Sequence, residues 1–284
     1  MQLRLYQEQA VNQVELNKTQ LIVSPIRSGK SVIMQAIVSR FSTSTVLILT
    51  SNRKIILQLK EYYGDDASFI LAGKKYDHTK RVFVGSYQTL NNRKEIDLNS
   101  IDIVMRDEAH LYHNNNLVKE LRELVPTVID FTGSPIDSKG GKLKGYDNWI
   151  RTINIKEMFD NSYLSPVRFF SLSNFIEGQD SNLKNNKQDY DENVVEQIMD
   201  KSSLLATVKN RIVEKEYHLK NKILIYVSSI SMGEKVLKYL NLPNVKLIHS
   251  KLGSKTVNEY IEWFDTASSG VLLNCKMLTV GYDN

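Results

Sequence analysis

"SPIRSGKS", residues 24–31, lies between the apolar run "QLIV" and the segment "VIMQAIVSRF", in which apolar residues recur at helical spacing. A tight turn between a buried strand and a helix leaves the helix's first N–H groups unpaired and aimed outward, where a polyphosphate can bind. The pattern for such a loop is G-x-x-x-x-G-K-[ST], and Ser24 stands where its first glycine belongs. Read as a phosphate cradle, Gly29 lets the backbone approach the phosphates, Lys30 reaches the β and γ phosphates and the Ser31 hydroxyl ligates magnesium. Read otherwise, the same residues are a polar helix start with Ser28 as N-cap.

Outward from this stretch, short β-type apolar runs alternate with helix-type segments along the chain, the signature of βαβ units on a mainly parallel sheet. The first half offers strands "QLIVS", "TVLILT", "SFILA", "RVFVGSY", "IDIVM" and "TVIDFTG", with helices in "SVIMQAIVSRF", "RKIILQLKEYY" and "NLVKELRELV". After "TGSP" the pattern gives way to "IDSKGGKLKGYDNW", which reads as an exposed loop. A second polar stretch at 177–193 has almost no apolar content and reads as a mobile surface segment. The rhythm then restarts with a long amphipathic helix around 194–215, "KILIYVSS", "MGEKVLKYL", "NVKLIHS", "VNEYIEWF" and "GVLLNC". The expected organisation is a first domain over 1–165, a linker over 166–193 and a second α/β domain over 194–284.

The 284 residues are 42% hydrophobic and 24% charged, with no apolar run near the roughly 18 residues a membrane span needs. The N-terminus lacks the apolar region of a secretory signal, and the single cysteine, Cys275, rules out an internal disulfide framework. A cytoplasmic monomer in a bacterial or phage-infected cell is expected, with Cys275 as core. A net charge of +5 and a pI near 9.0 suit an anionic partner, although the basic residues are spread along the chain.

About 80 residues beyond the loop, "IDIVM" ends in Arg106 and then "DEAH", residues 107–110. Carboxylates at the C-terminal end of a parallel strand face the crevice that a phosphate loop occupies. Their roles then differ: Asp107 holds magnesium through its water shell, and Glu108 orients and deprotonates the attacking water. The loop and the acids together make a chance arrangement far less tenable than either alone.

"SPIRSGKS", "DEAH" and "FTGSP", in this order and spacing, resemble the first three motifs of superfamily 2 helicases and translocases. The resemblance extends across the chain and implies two RecA-like domains that bind ATP and magnesium. By it, "LRLYQEQAV" is similar to the adenine-reading segment, with Gln7 on adenine and Arg4 and Tyr6 nearby, although core packing accounts for Tyr6 equally well. His110, Thr132, Gly133 and Ser134 would link the nucleotide site to the nucleic-acid track. "LTSNRKIILQ" and "VGSYQTL" resemble the family's nucleic-acid contacts, which makes Ser51, Arg53, Ser86 and Gln88 candidate backbone contacts.

In the second half "ILIYVSSI" and "LLNCKMLTVGYD" resemble the fourth and fifth motifs, with Gly281 and Asp283 as ATP-site candidates. Asn274, Cys275 and Lys276 stand where many relatives carry a threonine, so no hydroxyl–phosphate contact transfers there. The sixth motif, with its arginine, does not follow. The second domain is therefore expected to be incomplete, the chain a shortened form of a longer helicase, and its ATP turnover slow. "LRLYQ", "DEAH" and "YLSPVRFF" together most resemble DNA helicases of the UvsW-like and restriction-enzyme translocase group, which makes DNA the expected partner. An RNA helicase and a non-catalytic nucleic-acid-binding module that keeps the fold remain alternatives. A P-loop kinase or GTPase would leave "FTGSP" and the second α/β half unexplained.

Overall fold

A computed structural model of the protein describes residues 2–50, 53–71, 75–92, 96–113, 115–137, 140–169, 204–213 and 216–278. The expected contacts at Ser51, the Arg53 side chain, Gly281 and Asp283 lie outside the described residues, as does the polar stretch 177–193. Contacts divide the chain into two compact units, Met1–Phe169 and Phe170–Asn284.

The first unit is built on seven strands: β1 (Thr19–Val23), β2 (Val46–Leu49), β3 (Ala67–Ile70), β4 (Val82–Gly85), β5 (Ile103–Arg106), β6 (Thr127–Thr132) and β7 (Asn148–Arg151). Their order is β3-β4-β2-β5-β6-β1-β7, and every pairing is parallel. Parallel strands need crossovers, and α-helices supply them, covering both faces of the sheet. The helices that matter for the site are α1 (Leu5–Asn12), α2 (Lys30–Arg40), α3 (Arg53–Tyr63), α4 (Tyr87–Asn91), α5 (Ala109–Tyr112), α6 (Asn116–Leu124) and α7 (Ile155–Asp160).

Because side chains alternate along a strand, each central strand feeds two separate cores. Val46, Ile48, Ile103, Met105, Ile129 and Phe131 join Ile33 and Ile37 of α2 and Leu59 of α3. Their neighbours Leu47, Leu49, Val104 and Val128 join Leu90 of α4 and Leu117 and Leu121 of α6. The uninterrupted apolar runs of the sequence are therefore strands buried on both sides.

One expectation needs correction. The segment "IDSKGGKLKGYDNW" is not loop throughout: its last two residues open β7, which pairs with β1, and Leu143 is buried. Glycines and lysines outnumber the apolar residues there, so a four-residue strand with one buried position left no periodic signal.

In the second unit the described residues form a parallel sheet of three strands in the order β8-β10-β9, with β8 Lys222–Tyr226, β9 Val245–Ile248 and β10 Gly270–Asn274. The helices Leu204–Val213, Ile230–Leu240 and Ser254–Thr266 accompany it. Cys275 is buried in this core, against Val227, Met232 and Leu273 among others. Both units are α/β with parallel sheets, a RecA-like architecture. Among the described residues no helix is long and apolar enough to cross a membrane.

Ile129 sits wholly buried on β6, the strand between the β5 and β1 ends. Ile129→Ala is expected to cost the first unit about 2–5 kcal/mol, from lost transfer energy and a residual cavity. Urea unfolding followed by Trp149 fluorescence in a Trp263→Phe background reads this unit alone, since those are the chain's two tryptophans.

Candidate nucleotide site

The strand order sets β5, β6 and β1 side by side, so "DEAH", "TGSP" and "SPIRSGKS" leave the sheet at neighbouring C-terminal ends. The loop after β1 is tied across at once, because the Ser24 N–H donates to the Thr132 carbonyl at 2.9 Å. Ser24 is fully buried, and its hydroxyl lies 2.6 Å from Ser28 Oγ and 2.9 Å from Thr152 Oγ1. Ser28 Oγ spends its proton on the Pro25 carbonyl at 2.6 Å, so it accepts from Ser24. The serine in place of the expected glycine thus braces the loop through its side chain.

Ser28 is not the N-cap of α2. That position belongs to Gly29, at φ 80°, while Ser28 points back into the loop. Glycine is required at 29 twice over: the backbone is left-handed, and a Cβ would lie 2.5 Å from Gln7 Nε2. No side chain caps α2, which leaves its first-turn N–H groups, with Lys30 and half-buried Ser31, at the loop's mouth.

Helix α1 holds the loop from the other side. Tyr6 Oη and Gln7 Nε2 each donate to the Ser28 carbonyl at 2.9 Å, and Gln7 Oε1 accepts from the Arg4 N–H at 2.9 Å. Gln7 is therefore a buried brace on the loop, engaged through both ends of its amide. Tyr6 is core-packed with its hydroxyl on the loop, and the Arg4 guanidinium stacks 4.0 Å from the Tyr163 ring centroid. Beside Arg27 opens a cavity of about 420 Å³ lined by Phe159, Tyr163, Leu164 and Pro166.

At the end of β5 the chain turns sharply, with Glu108 in the left-handed region at φ 49°, a conformation that costs a non-glycine residue energy. The turn brings Glu108 Oε1 to 3.1 Å from Lys30 Nζ, and both side chains are mostly buried. Glu108 Oε2 lies 3.4 Å from His110 Nδ1, which is 2.9 Å from Thr132 Oγ1. Thr132 Oγ1 donates its one proton to the Ser134 carbonyl at 2.7 Å and accepts from the Ser134 N–H at 3.0 Å. His110 Nδ1 must therefore carry a proton. Gly133 follows Thr132 with a Cβ position 3.5 Å from the Ser24 carbonyl, so the two loops run close together.

Asp107 is fully buried. Thr50 Oγ1 donates to its Oδ2 at 3.2 Å, while Oδ1 has no partner among the described residues. Burial pushes its pKa up to about 6, Lys30 opposes the rise and Glu108 adds to it. A buried, half-satisfied carboxylate next to an anion cradle has the chemistry of a magnesium ligand. Among the described residues no cluster of three or more His, Cys, Asp or Glu could hold a metal. A cation here would lean on Asp107, Ser31, phosphate oxygens and water, which suits magnesium.

Two of the candidate nucleic-acid residues, Ser86 and Gln88, lie among the described residues at the start of α4. Ser86 caps α4, accepting from the Thr89 N–H at 3.1 Å, and Gln88 is exposed. Between them Tyr87, which sequence reasoning passed over, donates to the Asp107 carbonyl at 3.0 Å. Also missed were Thr50, Thr152 and the buried pair Arg106 and Asp130. The pair's one trace in the sequence is a single charge of each sign within two largely apolar strands, "IVMR" and "TVIDFT".

The raised Asp107 pKa carries a stability consequence. Between its unfolded value of about 3.8 and about 6 the folded state binds the extra proton, so stability falls as pH rises through this window. Asp107→Asn should therefore be more stable than wild type at pH 7.5, by up to about 3 kcal/mol, and lose that advantage below pH 4. Urea midpoints across pH 4–8 check it.

Residues 1–137 match the family described as the type III restriction enzyme res subunit. No curated protein sequence matches the chain. Among solved structures, the helicase domain of Pyrococcus furiosus Hef has a TM-score of 0.61 at 14% identity, over 96% of this chain and 85% of that one. T4 UvsW gives 0.46 at 13% identity, over 100% of this chain and 59% of that one. The first three motifs on adjacent strand ends, the family match over residues 1–137 and the Hef-like fold together support a protein of the superfamily 2 helicase type.

Proposed function

We propose that the chain is a nucleic-acid-dependent ATPase that couples ATP hydrolysis to movement on, or remodelling of, DNA. The observation that carries this reading is the fully buried Asp107 with its unpartnered Oδ1, set beside Glu108 and Lys30 at the mouth of an uncapped helix. The basic balance of the chain suits a nucleic acid of either kind, and the match to a restriction-enzyme subunit favours DNA.

In this reading the N–H groups of Gly29 to Ser31 and the Lys30 ammonium take the phosphates. Lys30 then exchanges Glu108 for phosphate oxygens, which frees Glu108 to orient and deprotonate water. Ser31 and Asp107 hold magnesium, which when bound neutralises charge on the β and γ phosphates. Arg4 and the cavity lined by Phe159 and Tyr163 serve the base, while Gln7, held on the Ser28 carbonyl, and Ser28 shape the loop beside it. His110, with its proton on Nδ1, ties Glu108 to Thr132, Gly133 and Ser134 and relays the state of the site. Ser51, Arg53, Ser86 and Gln88 contact phosphodiesters, and Gly281 and Asp283 are further candidates for contacting ATP.

Lys30→Ala should weaken ATP binding at least tenfold, because Lys30 meets phosphates already present in the ground state. Glu108→Gln should bind ATP like wild type and lose about 10²-fold or more in turnover, because Glu108 acts on the proton of the attacking water. Calorimetry and a coupled ATPase assay with single-stranded DNA and RNA test this. Equal turnover of Glu108→Gln and wild type refutes the assignment, and stimulation by RNA alone refutes DNA as the partner.

A further inference from the structure

Behind the metal-side carboxylate lies a second polar assembly, built around a fully buried ion pair. Arg106, the last residue of β5, is registered against Asp130 of β6, and both are fully buried. Arg106 Nε donates to Asp130 Oδ1 at 2.6 Å and Nη2 donates to Oδ2, a bidentate pair. Asp130 Oδ2 also accepts from Tyr146 Oη at 2.6 Å and Arg122 Nη2 at 3.3 Å. Burial alone would draw the Arg106 pKa down; the Asp130 carboxylate outweighs it, so the guanidinium stays charged.

Such a pair is a poor way to hold two strands together. Desolvating two charges cancels most of their attraction, and apolar side chains of similar volume hold a sheet as well or better. Backbone pairing already runs from Ile103↔Thr127 to Arg106↔Asp130. What the pair adds is direction, since a bidentate fork fixes the last residue before the turn in both orientation and register.

The next peptide is held just as firmly. The Asp107 N–H donates to the Leu49 carbonyl at 2.8 Å, and its carbonyl accepts from Tyr87 Oη at 3.0 Å. Tyr87 is 3% exposed, and its ring stacks on Tyr112 of α5 at 4.1 Å, which fixes the hydroxyl. Thr50 occupies Asp107 Oδ2, so among the described residues every polar atom of Asp107 has a partner except Oδ1.

We propose that Arg106, acting through Asp130, and Tyr87, acting on the Asp107 carbonyl, are positioning residues that present Asp107 Oδ1 to the magnesium of bound ATP. The proposal rests on the ATPase reading. Outer-shell partners of this kind typically set metal affinity by about 10- to 100-fold.

The test titrates magnesium against ATP binding by calorimetry, and against ATP turnover, for wild type, Tyr87→Phe and the apolar double variant Arg106→Met with Asp130→Leu. The magnesium concentration at half-saturation should rise about tenfold or more in both variants. At saturating magnesium ATP affinity returns to the wild-type level. The double variant should melt near wild type while its turnover at subsaturating magnesium stays low, a split that a purely structural role would not produce. Tyr87→Phe removes one hydroxyl and carries the test should the double variant fail to fold. A wild-type magnesium midpoint in folded variants overturns the proposal and leaves the ATPase reading intact. Wild type that binds no ATP at any magnesium concentration overturns the ATPase reading and this proposal with it.

Discussion

The parallel pairing of β1 with β6, and of β6 with β5, is the constraint on which everything else depends. Because of it, three segments spread between residues 24 and 135 leave the sheet at neighbouring strand ends. The Ser24 N–H on the Thr132 carbonyl extends the β1–β6 ladder one step past the strands, and the Asp107 N–H on the Leu49 carbonyl does the same for β5 and β2. The loops thus begin from fixed points, and only their tips are free to be shaped by side chains.

Those tips concentrate local cost. Glu108 is left-handed without being glycine, Asp107 is buried with one oxygen unpartnered, and Gly29 leaves no space for a side chain against Gln7. The surrounding framework tolerates this because both faces of the sheet are packed with apolar side chains. A site of this kind trades stability for a ready-made charge arrangement, the relation expected where function needs a strained or desolvated group. The Lys30–Glu108 pair follows the same logic, since each partner is held mostly out of water by the other until a phosphate competes.

The strands of the first unit were legible because β-branched runs bounded by turn residues have few other readings, and the loop and acid motifs because their spacing is chemical. β7 was not, since "NWIR" is short and follows a lysine- and glycine-rich stretch. The cap of α2 was misassigned to Ser28 as one alternative because a serine before a helix usually caps it. Here Ser24, 4 residues earlier, and the Pro25 carbonyl claim that hydroxyl instead. Gln7 was read only through the resemblance, as an adenine contact, whereas its hold on the Ser28 carbonyl depends on how α1 lies beside the loop, which no local pattern encodes. The Arg106–Asp130 pair needed the strand order, because two opposite charges 24 residues apart become partners only once β5 and β6 are neighbours.

The central claim is that this arrangement is a magnesium-dependent ATP site. The most direct measurement is an isothermal titration of ATP into the 284-residue chain, with magnesium present and then with the metal chelated. The account predicts one site per chain, with affinity that falls sharply when magnesium is removed. No binding, or binding of equal strength with and without magnesium, would contradict it.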